Sequence, residues 1–189
     1  MPKPLLPDAL DAALAWHGVQ RRKGKDVPYV AHLLGVASLV LELGGTEEQA
    51  VAGLLHDALE DTDATLDDVR ARFGDHVASI VEACTDAAPG EDRGTSTSMS
   101  RKQRYVEHVP SLAPDAALVS ACDKLHNLRD MVLDANSGAF DESWPFNVTR
   151  AEQVAYYRSL VEALNRNPGV PPVLVDEMRT LVDRLERAL

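Results

Sequence analysis

Cysteine, basic side chains and long apolar runs are all scarce in this chain. Among its 189 residues only Cys84 and Cys122 are cysteines, far apart and each set among apolar or small neighbours. Such a pair suits buried free thiols in a reducing compartment better than a disulfide framework or a zinc cluster. No stretch approaches the roughly 20 apolar residues that a membrane span requires. The opening MPKPLLPDAL also lacks an apolar run of signal-peptide length. A soluble, cytoplasmic protein is expected. Lys and Arg number 19 against 30 Asp and Glu, for a formal charge of −11. That balance argues against nucleic acid or an anionic membrane as the main partner, because both need a basic face to displace counterions. Alternation of polar and apolar residues is missing too, which leaves a β-sheet without a pattern to rest on.

What is present is helical spacing. Hydrophobic residues make up 45% of the chain, enough for one sizeable core, and no repeat or boundary marks a second unit. The expected fold is all-α, a single multi-helix bundle over residues 1–189. A first helix over Asp8 to Gln20 places Leu10, Ala13, Leu14 and Val19 on one side and gives way to the basic run from Arg21. A second starts after Pro28. It runs through His32, Leu33, Val36, Leu39, Val40 and Leu43 to Gly44-Gly45, a pair suited to a left-handed cap. Thr46 and Gln49 form a capping-box pattern ahead of a helix to about Leu59, and Thr65 with Asp68 repeats the device. Gly74 separates the short helix that follows from one covering Val77 to Cys84. Ala87 to Ser100, rich in Pro, Gly, Ser and Thr, is expected to be a surface loop. Helices resume over Arg101 to Val109 and again near Pro114, where Ala117, Leu118, Ala121, Leu125, Leu128 and Val132 line a buried face. Ala151 to Leu164 and Val173 to Leu189 complete the set.

The cations are unevenly spread. Residues 26–69 contain no Lys or Arg, while Arg21, Arg22, Lys23 and Lys25 stand just before them. Arg101, Lys102 and Arg104 make a second cluster, and Lys124 and Arg129 a third. In an acidic protein this grouping reads either as an anion pocket or as ordinary solvated charge.

His56-Asp57 follows directly on the apolar VAGLL. Burying an imidazole and a carboxylate without partners costs several kcal/mol, and a shared cation removes that penalty. Adjacent helical residues point about 100° apart, so the two can share an ion only with ligands from elsewhere. His32 on the preceding helix and Asp123 on the long later one are the candidates. Two imidazoles and two carboxylates suit manganese, iron or a similar first-row ion better than calcium, with zinc also open. Glu60 and Asp61 lie four residues after His56 and Asp57, which on a continuous helix stacks them one turn along. Carboxylates beside a water polarised by an ion can take its proton, as a hydrolytic centre requires.

In this order, His32, His56-Asp57 and Asp123 resemble the ligand set of the HD phosphohydrolase superfamily. The wider text, RRKGKDVPYVAH, GLLHDALEDT, FGDHVASIVEACTD and ACDKLHNLRD, resembles the alarmone hydrolases of the RelA/SpoT type over roughly residues 10–135. No synthetase segment follows, so the resemblance is to the small, hydrolase-only members. It implies a metal and catalytic core over about 10–135 with helices from about 140–189 packed on it. It also implies manganese on His32, His56, Asp57 and Asp123, with Glu60-Asp61 handling the attacking water. Arg22 and Lys23 would meet the base and phosphates, and Asn127 would meet the substrate beside the metal. Arg129, Arg101 and Lys102 are further candidates for phosphate contacts, as is Lys124 from the third cationic cluster. Two segments depart from the family pattern: the loop from Lys23 to Pro28, one residue longer, and GEDRGTSTSMSRKQRY. The tail aromatics Trp144, Phe146, Tyr156 and Tyr157 are expected in the core rather than against a base.

Three readings follow. The first is hydrolysis of the 3′-pyrophosphate of guanosine tetra- or pentaphosphate. The second keeps the metal and changes the substrate to a deoxynucleoside monophosphate or the 2′-phosphate of NADPH. The third is a catalytically silent module that binds nucleotide, which the presence of all six metal and acidic residues disfavours. The partner in each is a small nucleotide, and a homo-oligomer is left open.

Overall fold

Capping chemistry sets where several helices begin. In the computed structural model, which describes residues 4–85, 98–142 and 144–189, Thr46, Thr65 and Thr149 each accept a hydrogen bond from the backbone three residues on, and Gln49, Asp68 and Glu152 bond back. These capping boxes open α3 (Glu47–Leu55), α5 (Leu66–Cys84) and α9 (Arg150–Leu164). Proline in the first turn opens α1 (Leu6–His17), α7 (Pro114–Asn136) and α10 (Pro172–Ala188). The remaining described helices are α2 (Val30–Glu42), α4 (Ala58–Asp61), α6 (Ser98–His108) and α8 (Ala139–Glu142), with a 3-10 turn over Val109–Ser111. Among the described residues the one extended pairing is an isolated antiparallel bridge between Arg21 and Pro28. The all-α expectation therefore holds.

The long helix α7 is the axis of the molecule. From Ala116 to Asp123 every residue is buried, as befits a helix surrounded by others. α2, α3, α5 and α10 all pack against it. α2 also lies along α3, and α9 lies along α10. A continuous apolar cluster runs from Ala9 in α1 to Leu185 in α10.

Several boundaries differ from the sequence reading. α1 stops at His17, and its buried face is Ala9, Ala12 and Ala13, whereas Leu14 is 48% exposed and Val19, past the helix end, is 91% exposed. Small alanines face α3, while Leu6, Leu10 and Trp16 pack against the core from the edges of that face. The helix from Thr46 ends at Leu55 rather than Leu59, because a turn at His56-Asp57 interrupts it before α4. α6 already includes Ser98 to Ser100; the rest of the expected surface loop, residues 87–97, lies outside the described residues. Cys122 is buried but Cys84 only half so, and both are free thiols. Gly44 (φ 85°) ends the α2 segment and Gly74 (φ 89°) kinks α5, as their positions suggested.

Candidate metal centre

Three elements bring four metal-capable side chains to one corner. α2 contributes His32, the turn between α3 and α4 contributes His56 and Asp57, and the middle of α7 contributes Asp123. His56 Nε2 lies 2.9 Å from Asp57 Oδ2 and 3.5 Å from Asp123 Oδ1. His32 Nε2 lies 3.2 Å from Asp123 Oδ1 and 3.7 Å from Asp57 Oδ2. Ligand atoms of His32, His56 and Asp57 all fall within 4.8 Å of one another. The helix break is what permits this. On an unbroken helix two adjacent side chains diverge, whereas here Asp57 sits at φ −95°, ψ 0° and its carboxylate turns back beside the imidazole of its neighbour.

The corner has the character of a cation site. His32 Nε2 and His56 Nε2 are buried without a hydrogen-bond partner, the nearby carboxylates lacking the alignment of a hydrogen bond. Orphaned buried nitrogens cost about 1–3 kcal/mol each, and a divalent ion accepting their lone pairs removes that cost. The other ring nitrogens are spoken for: His56 Nδ1 bonds the Gly53 carbonyl at 2.9 Å, and His32 Nδ1 lies 3.0 Å from His126 Nδ1. Burial pushes both carboxyls up, but His56 beside Asp57 and Lys124 beside Asp123 outweigh it and hold them below the usual range. Burial lowers His32, and the Asp123 carboxylate only partly offsets this. For His56, the downward pull of burial yields to Asp57 and Asp123, and its proton is held tightly. A cation bound there would replace that proton.

Around the corner lie groups one hydrogen bond away. The Tyr29 hydroxyl donates to Asp57 Oδ2 at 2.5 Å, and burial together with the Asp57 charge pushes its pKa up. Asn127 Nδ2 donates to Asp123 Oδ1 at 2.5 Å, and Lys124 Nζ meets Asp123 Oδ2 at 2.9 Å. All three of these line a cavity of about 610 Å³, which also takes in Arg21, Arg22, Lys23, Lys25, Lys102, Asp61, Phe146, Tyr156 and Tyr157. A space of that size with that many cations suits a phosphorylated small molecule.

The cavity gathers some of the residues expected from the sequence and leaves others aside. Arg22 is there, bonded to Asn127 Oδ1 at 2.8 Å and Asp130 Oδ2 at 3.1 Å. Lys23 stands over the Phe146 ring at 5.8 Å. Lys102 bonds Gln153 and lies over Tyr156 at 4.5 Å; burial and the charges of Lys124 and Lys23 bring its pKa down to about 8, with Glu152 pulling the other way. Asp61 is on the cavity wall, held by Gln20 Nε2 at 3.0 Å, while Glu60 is not among the described residues lining it. Both lie in α4, a single turn set off by the break at His56-Asp57, rather than at the C-terminal end of a helix running to Leu59. Arg129 turns the other way and pairs with Glu177 at 2.7 Å, and Arg101 is half-buried in α6; neither lines the cavity. All four tail aromatics pack in or against the core as expected, and Phe146, Tyr156 and Tyr157 in addition line the cavity.

Sequence reasoning passed over Tyr29, Asp130, Asp134 and His126, and placed Lys25 only in the first cationic cluster. Lys25 Nζ reaches Asp130 at 2.6 Å and Asp134 at 2.8 Å, tying the basic loop before α2 to α7. The signal was available: Asp130 and Asp134 follow Asp123 by seven and eleven residues, one face of a helix.

Comparison with known proteins agrees with this arrangement. A family model described as HD domain matches residues 9–142. The human guanosine-3′,5′-bis(diphosphate) 3′-pyrophosphohydrolase is 43% identical over 129 residues, 67% of this chain and 69% of that one. A solved metazoan ortholog of SpoT, described as hydrolysing ppGpp, superposes with a TM-score of 0.75 at 28% identity, covering 96% of this chain and 95% of that one. A solved Listeria monocytogenes protein is 33% identical with a TM-score of 0.67, covering 82% of this chain and 94% of that one. With a corner of His and Asp able to hold a metal ion at its centre and small ppGpp hydrolases of the SpoT type among its relatives, this chain belongs to the HD-domain family.

Proposed function

We propose that this protein is a metal-dependent phosphohydrolase that removes the 3′-pyrophosphate of guanosine tetra- or pentaphosphate, leaving GDP or GTP. The observation that carries the reading is that Tyr29, Asn127 and Lys124, each bonded to Asp57 or Asp123 of the corner, line a cation-rich cavity of about 610 Å³. The similarity to relatives named for this hydrolysis supports the choice of substrate.

His32, His56, Asp57 and Asp123 would hold one divalent ion; the mixed nitrogen and oxygen donor set suits a first-row ion, and manganese is the one the family resemblance implies. When bound, the ion supplies Lewis-acid polarisation of a phosphoryl oxygen and of the attacking water. In the reaction the bond from the ribose 3′ oxygen to phosphorus breaks and a bond from water oxygen to the same phosphorus forms. One water proton leaves to the acidic pair, Asp61 being the member on the cavity wall, and the 3′ oxygen takes up a proton as it departs. Lys23, Lys102 and Lys124 neutralise the phosphates, and Arg22 is aimed by Asn127 and Asp130. Phe146 and Tyr156 offer aromatic faces to the nucleoside. Residues 1–189 act in this reading as one domain.

A nucleotide panel with manganese and product identification tests it. Pyrophosphate and GDP from guanosine tetraphosphate are expected; release of single phosphate from NADPH or a deoxynucleoside monophosphate, with the alarmone untouched, would reassign the substrate. Asp123→Ala is expected to lose manganese binding and turnover together, and full manganese-dependent activity in that variant would overturn the ligand assignment.

A further inference from the structure

We propose that His126 is a positioning residue for the metal centre: it holds the His32 imidazole in the tautomer that leaves Nε2 bare, and position 35 is glycine to make room for it. The inference rests on the reading of His32 as a metal ligand and concerns what makes His32 able to serve.

A neutral imidazole carries one N–H. To offer a lone pair at Nε2, where Asp57, Asp123 and His56 converge, His32 must keep its hydrogen on Nδ1. The neighbour of that nitrogen is His126 Nδ1 at 3.0 Å. Two imidazoles facing through the same kind of nitrogen can bond in two ways. If His126 donates, His32 receives at Nδ1 and its own hydrogen moves to Nε2, into the space an ion would occupy. If His32 donates, His126 accepts with a bare Nδ1 and carries its hydrogen on Nε2, and only then is the corner able to bind. A ligating imidazole steadied through its second nitrogen is a general feature of metal centres.

The fold builds this contact by placement, and the tautomer within it follows from the need for a bare His32 Nε2. His126 follows Asp123 by three residues, so the helix that supplies a carboxylate also braces an imidazole from α2. The two rings meet edge to face, 4.8 Å apart at 66°. On its far side the His126 ring lies against Gly35: a Cβ there would stand 2.1 Å from Nε2 and 2.3 Å from Cδ2. Glycine inside a helix is a destabilising choice in itself. Its presence in α2, one turn from His32, is explained by the ring it admits.

The test is manganese affinity by titration calorimetry, with apo-protein melting recorded in parallel. His126→Leu keeps the bulk and removes the acceptor, and it should weaken binding on the order of ten- to a hundredfold. His126→Asn, whose Oδ1 falls near the place of Nδ1, should stay within about threefold of the parent, a rescue that a purely packing role would not give. Gly35→Ala, which displaces the ring, should weaken binding like His126→Leu, and combining the two should add little. Imidazole ¹⁵N shifts of the parent should show His32 protonated at Nδ1. Unchanged affinity in His126→Leu and Gly35→Ala, or equal losses in His126→Asn and His126→Leu, would overturn the proposal. His32→Ala in the same series separates the two levels. Parent-like manganese binding in that variant sinks the ligand assignment, whereas loss there with no loss on changing His126 sinks the positioning role alone. No nucleotide enters the readout, so an error in the substrate leaves the result intact.

Discussion

Lys102 shows how a single residue takes its chemistry from its surroundings. Its ammonium is partly buried in the cavity wall with Lys124 from α7 and Lys23 from the loop before α2 for company, and Glu152 is the neighbouring charge that pulls the other way. Its pKa falls to about 8 from an ordinary 10.5, so it is charged below about pH 8 and neutral above, where an exposed lysine would stay charged for two further units. The anion affinity it lends the cavity is thus present below that pH and lost above it. We expect kcat/KM for the nucleotide, which reports the free enzyme, to fall above about pH 8. In Lys102→Arg, whose guanidinium stays charged, that fall should disappear; an unchanged profile would remove Lys102 from substrate binding. His56 and Asp57 were legible as chemistry from their place after VAGLL. The direction in which Arg129 points was not, since a helix surface offers several neighbours and only the arrival of Glu177 from α10 settles which one it meets.

At the scale of elements, α7 carries the most information. One face of it presents Asp123, His126, Asn127, Asp130 and Asp134 to α2 and to the basic loop, and its other faces are packed among helices. The spacing of three, four, seven and eleven makes that face readable once its first member is suspected. The break after α3 was hidden, because LLHDALED carries no Gly or Pro, and the weaker helix formers His56 and Asp57 stand among strong ones. Local preference would continue the helix, and the convergence of His56 and Asp57 on one corner overrides it. The capping boxes, by contrast, are local, with both partners three residues apart. Thr46→Ala removes an acceptor that satisfies the Gln49 amide and should cost about 1 kcal/mol of stability in urea unfolding, with manganese affinity unchanged. No loss of stability would mean that packing alone sets the start of α3.

Across the whole molecule, the C-terminal helix α10 packs along α7, the helix that carries Asp123, and α9 packs along α10. Buried Asn167 donates to the carbonyls of Val109 and Leu112, and Gly169 lies so close to Pro114 that a Cβ would stand 2.4 Å from its backbone. Gly169→Ala should therefore cost roughly 1–3 kcal/mol, the range for overpacking. It should lower one cooperative transition, seen alike by circular dichroism and by the fluorescence of Trp16 and Trp144. Two separated transitions would show the tail to be a unit of its own. The sequence by itself determined the helical class and the capping boxes at Thr46 and Thr65, and it singled out His56-Asp57 by the apolar run before them, because helical periodicity and buried chemistry are recorded in local spacing. Only the tertiary structure decided that Asp61 rather than Glu60 lines the cavity, that Phe146 and Tyr156 face the site, and that His126 meets His32 over Gly35. Those depend on which surfaces approach across 40 to 120 positions of chain, and a short-range pattern holds no record of that distance.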